Sequence, residues 1–395
     1  RTVRKSQGRC SPGEEQVVGT GIVHKAFGGR IDDQLLPHHE RIGHFVFDVA
    51  LYLSNRARCA NTKFSLDLFG MANENANSYF LELSRRYIRI NRFNKYLYDA
   101  NLLIPFGGKQ TLVSSRQVNG SRDMTGIMAE TEIPIEFSRE DEEIGNAYLR
   151  SIGCSSGTFA CLIVRDQAYL STHLSGGDWS YHSFRDSLIG TYRNTAIELA
   201  NRGYFVIRMG KHVAEKLNVE HSNIIDYATS GQRSDFLDIW LMANCHFAIS
   251  SSTGLDAVAD VFRRPVVLVN FLPLSHFQSW SETVLVPKTL RWLNNDRRKL
   301  TLNEHLTHNY QRSEEYQSAG IVIEDLTGQE ICDAVIEMHQ RLIGLWHESE
   351  LSKLRQQLFW TAFSKWPGFS RLHHWINPQA RIGDRYLEKS PELLQ

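Results

Sequence analysis

The chain has 395 residues, 42% hydrophobic and 22% charged, with a mean hydropathy of −0.34, which allows two domains of ordinary size in a soluble composition. Lys+Arg and Asp+Glu stand at 44 each, so bulk charge gives no case for binding nucleic acid. No apolar run reaches the roughly 18–20 residues that span a bilayer, and six scattered cysteines without CxxC spacing argue against a disulfide framework or structural zinc and for a reducing, cytoplasmic setting.

Residues 1–33 form a Gly-rich, polar entry segment around one apolar run, Val17–Val23. It has no signal-peptide core and no initiating Met, as expected of the trimmed end of a longer product. From residue 34 the pattern firms. Leu35-Leu36-Pro37 leads through His38 and His39 to Arg41-Ile42-Gly43-His44, and a helical pattern follows over Phe45–Leu53. Phe64–Phe69 alternates as a strand, Ser78–Ile90 reads as a helix with a basic face, and Leu102–Pro105 reads as a strand ending in Phe106-Gly107-Gly108-Lys109. Ser138–Arg150 should be a helix capped by Ser138, with acidic residues in its first turn and Arg150 in its last. The small residues at 153–157 suggest a division between residues 34–153 and 158–345.

The second half alternates strands and helices with short connections, the pattern of a parallel sheet covered on both faces. Phe159–Val164 is a buried strand followed by Arg165-Asp166, and Ser183–Asn201 reads as one helix. Phe205–Ile207 is a strand leading to Arg208-Met209-Gly210-Lys211-His212, Ile224–Asp226 is a short strand, and Ser234 opens a helix to Ala243. The clearest unit is Cys245–Pro273: strand His246–Ser250, turn Ser251-Ser252-Thr253-Gly254, helix Leu255–Phe262, strand Val266–Val269. A Ser/Thr/Gly turn opening a helix offers amide and hydroxyl donors and the positive end of the helix dipole to an anion, or serves simply as a helix cap. From Gly328 the chain turns helical, Gln329–Leu345 and then Leu351–Phe363. Residues 346–395 combine Phe359, Trp360, Phe363, Trp366, Phe369 and Trp375 with an excess of Lys and Arg. That combination suits peripheral contact with an anionic membrane surface, or a helix packed back with its rings buried.

In an open α/β sheet, ligands bind beyond the carboxyl ends of the strands. Topology therefore gathers Arg165, Asp166, Arg208, Gly210, Lys211, Asp226, Ser251, Ser252, Thr253 and Gly254 along one edge. These are the cations, backbone donors and carboxylates that a nucleoside diphosphate requires. Asp256, in the first turn of the following helix, either contacts that ligand or favours the helix dipole. No GxGxxG follows a strand, which sets aside a dinucleotide-dependent dehydrogenase.

Several blocks carry a resemblance: Arg165-Asp166 with Tyr169, Tyr192-Arg193-Asn194, GYFVIRMG at Gly203–Gly210, IIDYA at Ile224–Ala228, SDFLDIWLMANC at Ser234–Cys245 and SSTGLDAVADVFRRPVVLVNF at Ser251–Phe271. Together they resemble a little-characterised family of glycosyltransferases from bacterial surface-polysaccharide gene sets, well over residues 159–275. RIGHF at Arg41–Phe45 and LIPFGG at Leu103–Gly108 are similar more loosely. The resemblance implies an α/β fold of GT-B type, two Rossmann-like parallel-sheet domains facing a cleft, with C-terminal helices beyond. It also implies a nucleotide-sugar donor bound mainly by residues 158–345 and a surface-glycan or lipid-linked acceptor on the side of Arg41, Gly43 and His44. No metal or cofactor is expected, the diphosphate being held by basic residues and a helix dipole; no DxD stands between strands. His44 is the candidate base and Arg165 the candidate catalytic cation. The setting is cytoplasmic, with the inner membrane face as an alternative. A nucleotide-sugar 2-epimerase on the same fold and a non-catalytic partner subunit are the rival readings.

Overall fold

The computed structural model describes residues 30–35, 41–58, 65–70, 75–103, 122–132, 135–154, 158–168, 180–294 and 296–395. His38, His39, Gly107, Gly108, Lys109, Tyr169 and nearly all of the entry segment lie outside them. Arg30–Leu35 (β1), Ser65–Gly70 (β2) and Arg89–Asn91 (β3) form a parallel sheet in the order β1-β2-β3. Ile42–Arg58 (α1), Ser78–Arg85 (α2) and Phe93–Leu103 (α3) accompany it. α1 buries Phe45, Val46, Val49, Ala50 and Leu53, the three-and-four spacing of a helix with one apolar face.

Two expectations for this part fail. The helix from Ser78 stops at Arg85, and Ile90 belongs to β3. Leu102 and Leu103 end α3 instead of opening a strand, because a short apolar run does not by its own period distinguish the two. The helix Arg139–Ser151 (α4) starts where expected: Ser138 and Asp141 cap each other reciprocally at its amino end.

The larger sheet holds Phe159–Ile163 (β4), Phe205–Arg208 (β5), Ile224–Ile225 (β6), Phe247–Ser250 (β7), Val266–Phe271 (β8), Thr283–Pro287 (β9) and, past an antiparallel ribbon of Thr289–Trp292 (β10) and Ile321–Glu324 (β11), Ala380–Ile382 (β12). Its order is β12-β9-β8-β7-β4-β5-β6, all parallel. Every residue of β4, β7, β8 and β9 is buried, as helices on both faces require. Those helices include Arg193–Asn201 (α5), Asp235–Asn244 (α6), Asp256–Val261 (α7) and Gly328–Leu342 (α8). The single helix expected over Ser183–Asn201 is instead two 3₁₀ turns, Ser180–Arg185 and Ile189–Tyr192, leading into α5. The chain thus has the expected α/β architecture, two parallel sheets facing a cleft with helices at the C-terminal end.

The two halves are cross-braced. The Asn77 amide donates to Asp235 O at 2.8 Å, and Ser78 gives its backbone N–H and hydroxyl to the Asp235 carboxylate, each at 2.8 Å. Trp280 Nε1 donates to Asp123 at 3.1 Å, and Arg263 donates to Met128 O. Trp240 lies so close over Gly145 of α4 that a Cβ there would fall 2.1 Å from its ring. One apolar core runs through both halves, from Phe45 and Phe80 to Val284 and Leu387.

The C-terminal helix Glu350–Lys365 (α9) turns its aromatics inward. Phe359 and Phe363 are fully buried, Trp366 nearly so, and Trp360 packs against Phe277 of the second half. β12 then completes the edge of the large sheet beside β9. Phe359, Phe363 and Trp366 are core, Trp360, Phe369 and Trp375 are half-buried against it, and among the described residues no helix is long and apolar enough to cross a membrane.

Candidate active site

The strand order reverses between β4 and β7, and this switch point is where an open parallel sheet leaves a crevice beyond its carboxyl ends. The two strand ends are stitched together there. Ser251 N donates to Ile163 O at 3.2 Å, and Arg165 N donates to Ser251 Oγ at 2.7 Å. Ser251 is wholly buried, so it acts as a brace and not as a ligand donor.

Facing the switch point is the amino end of α1. Gly43 lies directly on Gly254: a Cβ on Gly43 would sit 2.9 Å from both the Cα and the carbonyl oxygen of Gly254. The cleft between them has a volume of about 460 Å³. Arg41, Gly43 and His44 line it from one side; Arg165, Asp166, Gly210, Lys211, Ser252, Thr253, Gly254 and Asp256 line it from the other. Most of the residues singled out in the sequence therefore meet, although they come from segments more than 200 residues apart.

The turn itself is largely occupied by its own side chains. Asp256 accepts from Ser250 Oγ at 2.7 Å and from Thr253 N at 3.0 Å. Burial raises its carboxyl to about 6, against the opposing pull of the Ser250 hydrogen bond and Arg185. Ser252 adopts a left-handed backbone (φ 63°), held by Arg185, whose Nη2 donates to Ser252 O at 2.9 Å and Oγ at 3.1 Å. Thr253 Oγ1 is buried without a partner.

Asp166 braces two loops, accepting from Ala168 N at 2.9 Å and Ala214 N at 2.8 Å. Lys211 reaches across the cleft to Ala76 O at 3.3 Å. Arg208 and Asp226 do not line the cleft. Arg208 is fully buried, 3.2 Å from Asp226, and donates to Glu215 O; Asp226 also accepts from Leu217 N. The expectation that this pair serves a ligand is corrected: it is the interior support of the 210–226 loop, because the last residue of β5 points beneath that loop and not into the crevice.

Sequence reasoning missed Arg185, Arg122, His182 and His276, all on the cleft wall. Burial, with Arg165 next, brings Arg185 down to about 10; burial alone does the same to Arg122. Arg165 is lowered by burial and by Arg41, and partly restored by Asp186, 3.4 Å away. Burial and the surrounding arginines hold His182 at about 4 and His276 at about 3, so both are neutral at ordinary pH. Arg185 had no sequence signal: it sat inside a segment read as regular helix, and its partner Ser252 is far along the chain. Among the described residues no three His, Cys, Asp or Glu side chains come together in an arrangement that could hold a metal ion. What the site offers is five cations, Arg41, Arg122, Arg165, Arg185 and Lys211, among four aspartates, Asp166, Asp238, Asp256 and Asp260, that already accept hydrogen bonds from the protein, together with a helix amino end, a setting for an anion.

No protein-family model and no curated protein matches the sequence. Among solved structures, the ADP-heptose LPS heptosyltransferase II of E. coli is similar at 12% identity and a TM-score of 0.42, over 80% of this chain and 98% of that one. A family 9 glycosyl transferase from Veillonella parvula DSM 2008 is similar at 11% identity and a TM-score of 0.37, over 78% of this chain and 80% of that one. At these values neither likeness assigns an activity to this chain.

Proposed function

We propose that the chain is a glycosyltransferase that moves a sugar from a nucleotide-activated donor to a glycan or lipid-linked acceptor without a metal ion. The observation that carries this reading is the cationic crevice at the β4/β7 switch point, closed from the other side by the amino end of α1. A departing nucleoside diphosphate develops negative charge, and Arg165 with the neighbouring cations would stabilise it. His44 stands in the first turn of α1, on the cleft wall, where its imidazole would take the proton of the acceptor hydroxyl. His182 and His276 are too weakly basic for that role. A lipid-linked acceptor would bring the protein to a membrane surface. The exposed Leu351, Leu354 and Leu358 on α9 would meet that surface, since Phe359 and Phe363 are turned inside.

A thermal-shift panel of nucleosides and their mono- and diphosphates tests the donor class. A ligand at a hundred times its Kd stabilises by about 2.7 kcal/mol. Stabilisation by a nucleoside diphosphate supports the reading, and indifference to every nucleotide refutes it. Incubation of the matching nucleotide sugar without acceptor then separates transfer from epimerisation: an epimer appearing there refutes transfer.

A further inference from the structure

The helix α3 turns an apolar face away from the core. Phe93, Tyr96, Leu97, Ala100 and Leu103 recur at helical spacing, which sets them on one side. That side is in solvent: Phe93 is 78% exposed, Tyr96 70%, Leu97 50% and Leu103 86%. The first turn is tied to the sheet through Asn94, which is buried and gives its amide to Phe69 O at 3.1 Å and to Arg89 O at 2.9 Å. Apolar side chains exposed singly are ordinary, whereas four large ones in one stripe mark a binding surface.

The charge around the stripe selects the partner. Between Glu82 and Asp99 the chain carries Arg85, Arg86, Arg89, Arg92 and Lys95 and no acid, although its formal net charge is zero. All five cations are exposed. Arg85 pairs with Glu82 and Arg86 with Asp141, whereas Arg89 and Lys95 have no ion-pair partner among the described residues. The leucines of α9 lack that setting, because Lys353 and Arg355 beside them pair with Glu350 and Asp384. A nucleic acid or an acidic peptide would use the cations and leave Phe93 and Leu103 idle. A symmetric pair of copies would bring the same cations together. The boundary of an anionic bilayer satisfies both features: rings and leucines enter the headgroup region while Lys and Arg meet lipid phosphate.

We propose that α3, with the cations that lead into it, docks the protein onto an anionic lipid surface. None of the stripe residues lines the cleft, and the docking does not depend on sugar transfer. Because β1, β2 and β3 are parallel, α1 and α3 both begin at the carboxyl edge of the small sheet. Docking through α3 therefore ties to the bilayer the half of the protein that carries Arg41, Gly43 and His44 into the cleft.

The test sediments the full chain with vesicles of phosphatidylcholine alone and of phosphatidylcholine mixed with phosphatidylglycerol. The wild-type chain should follow the anionic vesicles far more than the neutral ones, and should be released as salt is raised. Phe93→Ser with Leu103→Ser, and separately Arg89→Gln with Lys95→Gln, should each lower partition onto the anionic vesicles by about tenfold or more. Both pairs should melt as wild type does, because all four side chains are exposed. Indifference of the wild-type chain to anionic vesicles, equal binding to neutral ones, or undiminished binding in either double variant overturns the proposal. So does binding lost only in Leu351→Ser with Leu354→Ser, which would give the surface to α9. Sedimentation velocity without lipid checks for a second copy: a dimer that Phe93→Ser with Leu103→Ser dissolves also overturns the proposal. None of these readouts uses a nucleotide or a sugar, so failure here leaves the transfer reading standing.

Discussion

The contact between Gly43 and Gly254 sets a measurable limit on the space between the two halves. In Gly43→Ala the new methyl would lie 2.9 Å from Gly254 Cα and O and 3.3 Å from Gly254 C. All three are backbone atoms, so no side chain can rotate aside, and α1 or the turn must shift by roughly half an ångström to restore ordinary packing. α1 has little freedom to retreat, because Phe45, Val46, Val49 and Ala50 are buried just behind the contact. Overpacking of this kind costs about 1–3 kcal/mol. The better helix propensity of Ala returns roughly 0.5–1 kcal/mol of that. The expected net loss is about 1–2 kcal/mol, measured by urea unfolding, together with weaker nucleoside diphosphate binding because the cleft wall has moved. Gly254→Ala meets the same barrier from the other side, 3.1 Å from Gly43 N and 3.3 Å from Ile42 Cγ2. The two changes should combine non-additively, since one displacement relieves both. Single variants that unfold at the wild-type midpoint and bind nucleotide normally would refute the contact.

The remaining expectations concern the buried pair, proton linkage and catalysis. Asp226→Ala leaves the Arg208 cation buried without its counter-charge and should cost about 3–5 kcal/mol while nucleotide affinity of the folded protein is unchanged; the reverse result would return the pair to the ligand site. The Asp256 carboxyl sits at about 6 in the fold against an ordinary 3.8, so its contribution to stability is fully present below 3.8 and is lost as pH rises through about 6, an effect of order 3 kcal/mol. Asp256→Asn should therefore flatten the pH dependence of stability between about pH 4 and 6 relative to wild type, and an unchanged slope would refute the assignment. His44→Ala should lower kcat by about two orders of magnitude with little change in donor affinity, and near-normal turnover would place the base elsewhere. Transfer should persist in EDTA, whereas loss that magnesium or manganese restores would mean that a metal carries the leaving group.

The parts of this fold that could be read in the sequence are those set by local chemistry. Phe247–Ile249 and Val266–Val269 are unbroken apolar runs, and the caps at Ser138 and Ser234 announce α4 and α6. Strand ends in a parallel sheet then bring Arg165 and the 251–254 turn to one place without further information. What could not be read depends on partners distant in the chain or on side-chain direction. Arg185 matters through Ser252, and Asp256 acts inward on its own turn. Arg208 follows an apolar strand as Arg165 does, yet one sits beneath a loop and the other in the crevice. For the C-terminal rings, composition suited a membrane surface and a core equally; the position of Phe277 and the open edge of β9 decided for the core.

The bracing between the halves has a consequence for modularity. A cut near residue 153 would sever the Asn77 and Ser78 bonds to Asp235 and leave Trp240 without the glycine surface of α4 that covers it. Phe47, whose ring packs tilted against Trp280 at 5.2 Å between centroids, would face water in one fragment, and its partner would face water in the other. The two halves of this protein are therefore not interchangeable cassettes. A chimera that imports a foreign first half must bring its own match for Asp235, Trp240 and Trp280, or it will leave the Asp235 acceptors unpaired, expose the two indole faces and aggregate before it can be assayed.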